Sequence, residues 1–164
     1  MEAGSLSALA DRIGAALGAA GWQLATAESC TGGWIAKTVT DAVGSSAWFD
    51  RGFVTYSNAA KSEMLGVDPA VIDAHGAVSE ACVRAMAEGA LRRSRAQVSV
   101  AVSGIAGPGG GTPAKPVGTV CLAWAVDGRT DAVTLHFEGD RDAVRRQTVV
   151  AALEGVLERV ERQG

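Results

Sequence analysis

The sequence QVSVAVS, at residues 97–103, alternates valine with small residues and carries no charge. This pattern is typical of a strand buried in a sheet. The next thirteen residues, 104–116, include five glycines and three prolines and show no pattern of their own. Loops of this length in a compact domain are usually functional or disordered, and open α/β sheets bind ligands beyond the carboxyl ends of their strands. We therefore expect this loop to belong to a ligand site.

Further strands and helices alternate along the chain around this strand. Periodicity and capping residues predict helices at residues 5–20, 31–40, 58–65, 68–74, after Ser79 and at 140–159, and strands at 22–27, 48–56, 119–126 and 132–137. Asp127 and Gly128 form a hairpin signal between the last two strands. Strands interleaved with helices, plus one hairpin, predict an α/β fold whose mixed sheet carries helices on both faces. With 164 residues and no internal repeat or linker, we expect one domain over residues 1–164.

The composition is that of a globular protein and excludes some functional classes. Hydrophobic residues make up 48% and charged residues 20% of the chain, which suffices for one core. A net charge of −3 argues against a general nucleic-acid binder, since such proteins carry a basic excess for the phosphates. No apolar run approaches the roughly 20 residues that span a bilayer, so we expect no membrane partner.

The cysteines and histidines indicate the compartment and argue against a metal. Three scattered cysteines, Cys30, Cys82 and Cys121, suit free thiols in a reducing cytoplasm. The start of the chain lacks the order of a signal peptide, which also favours a cytoplasmic protein. Neither His75 nor His136 lies in a cluster with metal-ligand spacing, so we expect no metal site. Sheet proteins of this size commonly pair through an edge or a helix face, so a homo-oligomer, a dimer or higher, is expected.

The first stretch that could carry chemistry is AESCTGG, residues 27–33, at a predicted strand-to-helix junction. Such a junction places the Ser29 hydroxyl at the sheet edge, while backbone N–H groups near Thr31, Gly32 and Gly33 point toward a ligand. A capped helix start explains the same residues without chemistry. Cys30 is a rival nucleophile, because a helix N-terminus lowers a thiol pKa, but no histidine is arranged as its base.

The second stretch is TYSNAAK, residues 55–61. A serine needs a neighbouring base, and a desolvated lysine, Lys61, can serve as one. The phenol of Tyr56, the only tyrosine, could relay a proton, and Asn58 offers an amide to a substrate. The alternative interpretation makes Asn58 a helix cap, Tyr56 a strand aromatic and Lys61 a solvated charge.

The glycine-rich loop and the last helix supply groups that suit an anion. Successive N–H groups in glycine-rich turns form concave anion sites, although no Gly-Lys-Ser/Thr ending marks a Walker A loop. The candidate ligand-binding residues of this region are Ser103, Gly104, Gly107, Gly111, Thr112 and Lys115. Arg141 and Arg145 share one face of the last helix, behind a capping Asp140, and guanidinium groups suit phosphate. A flexible surface loop and a solvated helical face are the alternatives.

Taken in order, these stretches resemble the CinA C-terminal-domain family. The match rests on AESCTGG at 27–33, VTYSN at 54–58 with Lys61, GAVSE at 76–80, SGIAGP at 103–108, KPVGTV at 115–120 and GDR at 139–141 with Val144 and Arg145. It covers residues 6–157, and six motifs in register are far more specific than one. Stand-alone members of the family are nicotinamide-nucleotide amidohydrolases.

The resemblance implies a three-layer α/β/α domain that hydrolyses the carboxamide of nicotinamide mononucleotide to nicotinate mononucleotide and ammonia. It implies a Ser-Lys pair assisted by tyrosine, which falls on Ser29, Lys61 and Tyr56, and a small pyridine nucleotide as partner, with no cofactor. The activities of a further N-terminal domain, carried by some members, do not transfer, because this chain has no room for that domain. Three rival hypotheses stay open: a non-catalytic nucleotide-binding module, an amidase that uses Cys30, and an amidase for another small amide.

Overall fold

The computed structural model describes residues 3–163, in which helices and strands alternate along most of the chain. The six helices are α1 (Ala3–Ala20), α2 (Trp34–Thr40), α3 (Asn58–Leu65), α4 (Pro69–His75), α5 (Glu80–Arg92) and α6 (Arg141–Gln163). The five strands are β1 (Leu24–Glu28), β2 (Phe49–Val54), β3 (Val98–Gly104), β4 (Thr119–Val126) and β5 (Arg129–His136). A 3₁₀ helix, Ser45–Ala47, precedes β2.

One mixed sheet joins the strands in the order β2-β1-β3-β4-β5. β1 pairs in parallel with β2 and with β3, whereas β3, β4 and β5 pair antiparallel. Asp127 and Gly128 connect β4 to β5 with positive φ angles of 35° and 78°, as a two-residue hairpin turn of type I′ requires. The predicted mixed α/β sheet with its hairpin is confirmed.

Helices cover both faces of the sheet and divide the core in two. Large side chains such as Leu24, Val100 and Leu122 face α1, α2 and α6. The opposite face presents alanines, among them Ala27 and Ala101, to α3, α4 and α5. Because successive strand residues point to opposite faces, the two sets alternate along each strand. The three-layer α/β/α sandwich implied by the resemblance is therefore confirmed.

The sheet order creates a topological switch point between β1 and β3. The chain leaves β1 toward β2 on one side and later returns to β3 on the other. In sheets of this kind, ligands bind outside the carboxyl ends of the strands at such a switch point. Here Ser29 follows the last residue of β1, and Gly104 ends β3 beside it, since Glu28 pairs with Val102.

Several predicted boundaries differ from the observed ones for identifiable reasons. α2 begins at Trp34 rather than residue 31, because Gly32 and Gly33 have φ angles of 60° and 104°, outside the helical range. β5 begins at Arg129 rather than residue 132. Its first residues are polar, which an exposed edge strand tolerates, and they therefore gave no apolar strand pattern. The last helix continues beyond residue 159 to Gln163.

Candidate active site

Ser29 lies in a tight turn between β1 and α2. Its amide donates to the carbonyl oxygen of Val102 in β3 at 3.1 Å, and its own carbonyl accepts from the Gly32 amide at 3.1 Å. These two bonds fix the serine backbone at the switch point between β1 and β3. The side chain is only 7% exposed, so its hydroxyl is largely screened from bulk water.

Lys61 is the partner of this hydroxyl. Its Nζ donates to Ser29 Oγ at 3.0 Å and to the carbonyl oxygen of Thr55 at 3.0 Å. Lys61 follows the start of α3, where the Ser57 hydroxyl accepts from the Ala60 amide and caps the helix. The lysine is 1% exposed, and within residues 3–163 no carboxylate forms an ion pair with it. This contradicts the alternative interpretation of Lys61 as a solvated charge.

Burial changes the acid–base character of Lys61. Desolvation lowers the pKa of its ammonium group below the ordinary lysine value of 10.5. A larger share of neutral amine is then present near neutral pH. Such an amine can accept the proton of an adjacent serine, which is how a weak hydroxyl nucleophile is activated.

Tyr56 lies at the rim of the site and is 62% exposed. Its hydroxyl accepts from Arg141 Nη2 at 3.1 Å, and Arg141 Nη1 donates to the carbonyl oxygen of Gly107 at 2.8 Å. Among the described hydrogen bonds, none joins the phenol to Ser29 or Lys61. The geometry therefore offers a direct lysine–serine contact, while Arg141 ties the tyrosine to the glycine-rich loop.

Arg145 lies one helical turn after Arg141 and contacts the Ser29 turn. Its Nε donates to the Cys30 carbonyl oxygen at 3.0 Å and its Nη2 to the Thr31 carbonyl oxygen at 3.2 Å. The Asp140 carboxylate accepts from the Ala143 amide at 2.9 Å and caps α6 as predicted. Both arginines thus hold backbone carbonyls of the site, and the sequence prediction did not include these contacts.

The glycine-rich loop is internally bonded and, besides the Arg141 contact, is anchored through Lys115. Thr112 and Lys115 form a turn in which the Thr112 amide donates to the Lys115 carbonyl oxygen at 2.9 Å and the Lys115 amide to Thr112 Oγ1 at 3.0 Å. Lys115 Nζ donates to the carbonyl oxygen of His75 at 2.8 Å, at the end of α4. A Cβ atom at Gly111 would lie 2.8 Å from the Val117 amide nitrogen, so the chain folds too closely there for a side chain.

The remaining candidate residues differ in their position and burial. Ser103 is buried near the end of β3, and Gly104 and Gly107 begin the loop. Asn58 is the exposed first residue of α3; the alternative that it caps this helix is wrong, because Ser57 does so. Cys30 is 6% exposed, and burial raises the pKa of its thiol to about 11, which leaves little thiolate at neutral pH.

Sequence reasoning gave no role to Glu28, although this residue is 1% exposed and directly precedes Ser29. Its carboxylate accepts from Thr31 Oγ1 at 2.5 Å and from the amides of Ile35 and Ala36 at 2.8 and 2.9 Å. The available signal was a glutamate at the end of an apolar strand, since a buried acid requires hydrogen-bond partners.

The rest of the described chain contains a separate cavity. A cavity of about 270 Å³ lies at the other end of the strands from Ser29, beside the β4–β5 turn. It is lined by Trp22, Trp124, Val126, Asp127, Arg129, Asp131, Arg159 and Arg162. It includes none of the predicted site residues. Between residues 3 and 163, no group of three histidine, cysteine or acidic side chains could hold a metal ion. No helix in the same part of the chain has the length and apolarity to cross a membrane.

Comparison with known proteins agrees with this architecture. Residues 6–160 match the family model described as the CinA C-terminal domain. The chain is 57% identical over 153 residues to nicotinamide-nucleotide amidohydrolase PncC of Enterobacter agglomerans, covering 93% of each chain, and 54% identical over 156 residues to PncC of Escherichia coli K12, covering 94% of each. The crystal structure of competence/damage inducible protein CihA from Agrobacterium tumefaciens superposes with a TM-score of 0.91, at 46% identity and with 93% and 94% of the two chains covered. With its fold and nearly its whole length matched, the chain belongs to the CinA C-terminal domain family.

Proposed function

We propose that this protein hydrolyses the carboxamide of nicotinamide mononucleotide to nicotinate mononucleotide and ammonia. The observation that carries the proposal is the 3.0 Å contact between Lys61 Nζ and Ser29 Oγ, both of which are buried at the carboxyl end of β1. The relatives named nicotinamide-nucleotide amidohydrolase supply the substrate class. The reaction recycles a pyridine nucleotide.

In the first half of the reaction, Ser29 Oγ attacks the carboxamide carbon while its proton passes to neutral Lys61. The carbonyl oxygen becomes an oxyanion and needs hydrogen-bond donors. In the described turn, the Gly32 amide already bonds to the Ser29 carbonyl oxygen, whereas the amides of Cys30, Thr31 and Gly33 have no backbone acceptor. Of these we assign the Thr31 and Gly33 amides to the oxyanion, and one such donor is worth about 3 kcal/mol in comparable sites.

In the second half, the carbon–nitrogen bond breaks and Lys61 returns the proton to the leaving nitrogen, which departs as ammonia. Tyr56 is the alternative donor of this one proton. Water then attacks the Ser29 ester, with Lys61 again as the base, and releases nicotinate mononucleotide and the free hydroxyl. One water is consumed for each ammonia released.

The nucleotide part of the substrate is proposed to lie over the glycine-rich loop and the start of α6. Arg141 and Arg145 each donate two hydrogen bonds to the protein, and a guanidinium has five N–H donors, so donors remain for a phosphate. Asn58, Ser103, Gly104, Gly107, Gly111, Thr112 and Lys115 complete the proposed ribose and phosphate contacts. This distant grip positions the carboxamide against Ser29.

The test is ammonia release from nicotinamide mononucleotide, nicotinamide riboside and free nicotinamide, with wild type beside Ser29→Ala. The proposal expects release from the mononucleotide by wild type, far less from the two substrates without phosphate, and none above background from the variant. No release from any substrate would indicate a nucleotide-binding module. Equal release from all three would indicate an amidase of broader specificity.

The compartment and assembly state belong to the same proposal. Cys30, Cys82 and Cys121 are all free and buried, which fits the reducing cytoplasm proposed from the sequence. A homo-oligomer is proposed as well, and light scattering coupled to size exclusion tests it against a mass of 16.7 kDa for the single chain.

A further inference from the structure

Glu28 directly precedes Ser29 in the chain but takes no part in the reaction steps proposed above. Glu28 ends β1 and pairs with Val54 and Val102 on either side, so its backbone is fixed inside the sheet. Its side chain points to the face covered by α2, whereas the Ser29 hydroxyl meets Lys61 of α3 on the other face. Glu28 therefore cannot be the base for Ser29, because its oxygens bind donors on the opposite side of the sheet.

The Glu28 carboxylate replaces the missing cap of α2. The residue at the cap position is Gly33, which has no side chain to accept hydrogen bonds. The two amides that a cap normally satisfies are those of the second and third helical residues, here Ile35 and Ala36. Glu28 accepts from both, one with each oxygen, from the preceding strand.

The third hydrogen bond of the Glu28 carboxylate is to Thr31, in the turn from Ser29 to Gly33. Thr31 Oγ1 donates to the same oxygen as the Ile35 amide, and Thr31 is 1% exposed. The turn from Ser29 to Gly33 is thus held to the strand before it and to the helix after it through one buried group. Gly32 and Gly33 adopt positive φ angles in this turn, and glycine is conformationally free. The contacts of Glu28 restrict that freedom.

We propose that Glu28 is a positioning residue of the amidase: through Thr31 and the first turn of α2, its carboxylate holds Ser29 and the Thr31 and Gly33 amides in reactive geometry. This inference rests on the proposed function, because it assigns those amides to the oxyanion. A displacement of about 1 Å at such a turn is expected to cost on the order of 100-fold in rate.

The first test compares Glu28→Gln with wild type in ammonia release from nicotinamide mononucleotide. Glutamine keeps the shape but turns an amide group toward a backbone donor, so kcat should fall about 10- to 100-fold while KM changes less than about threefold. Asp68→Ala is the matched control, since Asp68 caps α4 through the Ala70 amide and its loss removes a cap elsewhere. Its kcat should stay at the wild-type value.

A second pair keeps the inference testable if Glu28→Gln does not fold. Thr31→Val removes the hydroxyl and should lower kcat about tenfold, whereas Thr31→Ser restores the donor and should recover most of it. If Thr31→Val, or a folded Glu28→Gln, retains kcat within about twofold of wild type, the inference is overturned while the proposed function stands.

A substrate-independent measurement separates the two failures. A fluorophosphonate probe labels activated serines, so its rate of reaction with Ser29 should fall in Glu28→Gln and Thr31→Val but not in Asp68→Ala. Wild type that releases no ammonia yet shows this order of labelling rates would refute the proposed substrate and support the role of Glu28. Equal labelling rates in all four proteins would refute that role.

Discussion

Lys61 Nζ lies 3.0 Å from Ser29 Oγ although the two residues are 32 positions apart in the chain. The contact forms because β1 and α3 are brought together at the same edge of the sheet, and both side chains are withdrawn from water there. The lysine also donates to the Thr55 carbonyl oxygen, which leaves its amine held in one place. The pair is therefore organised before any substrate arrives.

Replacing the lysine should remove the base and spare the fold. Lys61→Met keeps an unbranched side chain of similar length in the buried position, so the protein should remain folded by circular dichroism. We expect kcat for ammonia release to fall about 100- to 10,000-fold, the range for loss of a general base. Lys37→Met is the control, because Lys37 is exposed and pairs with Asp41 on the surface of α2. Wild-type rates in Lys61→Met would exclude the Ser-Lys pair.

The rate should rise with pH through the lowered pKa of Lys61. Desolvation places the pKa of this group below 10.5, and only the neutral amine accepts the Ser29 proton. Below the pKa the amine is protonated and kcat/KM falls as pH falls; above it kcat/KM reaches a plateau. A profile of kcat/KM from about pH 6 to 10 measures this limb. A flat profile across that range would contradict the assignment of Lys61 as base.

Arg141 should act mainly on substrate binding. It joins the Tyr56 hydroxyl to the glycine-rich loop and has further N–H groups for the proposed phosphate contact. Arg141→Ala should raise KM for nicotinamide mononucleotide about tenfold or more, with a smaller effect on kcat. Arg162→Ala, at the far end of the same helix, serves as the control and should leave KM unchanged. Initial rates over a range of substrate concentrations give both constants.

The thiol next to the nucleophile should be dispensable. Because burial raises the pKa of Cys30 to about 11, little thiolate exists at neutral pH to attack an amide. Cys30→Ala should retain kcat within about threefold of wild type, whereas Ser29→Ala should show no release above background. The opposite outcome in the ammonia assay would assign the nucleophile to the thiol.

Two helical glycines should respond to alanine with opposite signs. A Cβ atom at Gly155 would lie 2.2 Å from the Trp124 ring, and Trp124 is held by a 3.0 Å bond from its Nε1 to the Ala152 carbonyl oxygen. Gly155→Ala should therefore lower the free energy of unfolding by about 1–3 kcal/mol. Gly18, inside α1, has no atom within 4 Å of such a Cβ, and Gly18→Ala should raise that free energy by about 0.5–1 kcal/mol. Urea titrations of both variants measure the two changes.

Local pattern predicted most of the fold. The bounds of β4 (Thr119–Val126) and α3 (Asn58–Leu65) follow from apolar runs and caps, and both agree with the structure. The polar start of β5 and the 3₁₀ helix Ser45–Ala47 could not be predicted in this way, because an exposed edge strand and a single short turn leave no periodic signal.

The site was predicted less evenly. Ser29 and Lys61 stand on separate elements, and no local pattern reports which elements become neighbours. The need of a serine for a base made Lys61 a candidate, and the family resemblance strengthened that pairing. The role of Glu28 depends on a strand residue that caps the following helix across a glycine turn, a contact absent from rules based on spacing within one helix. The contact between Arg141 and Tyr56 spans 85 positions and was equally out of reach of local reasoning.

The pleat of β1 decides which residue faces which side of the sheet, because successive side chains point to opposite faces. Since Glu28 and Ser29 point to opposite faces, the carboxylate accepts from the first turn of α2 on one face while the hydroxyl contacts Lys61 on the other. Sliding β1 by a single residue against β3 would exchange them, turning the acid toward the lysine and the alcohol toward the helix. Deleting or inserting one residue in β1 should therefore abolish catalysis even in a protein that still folds.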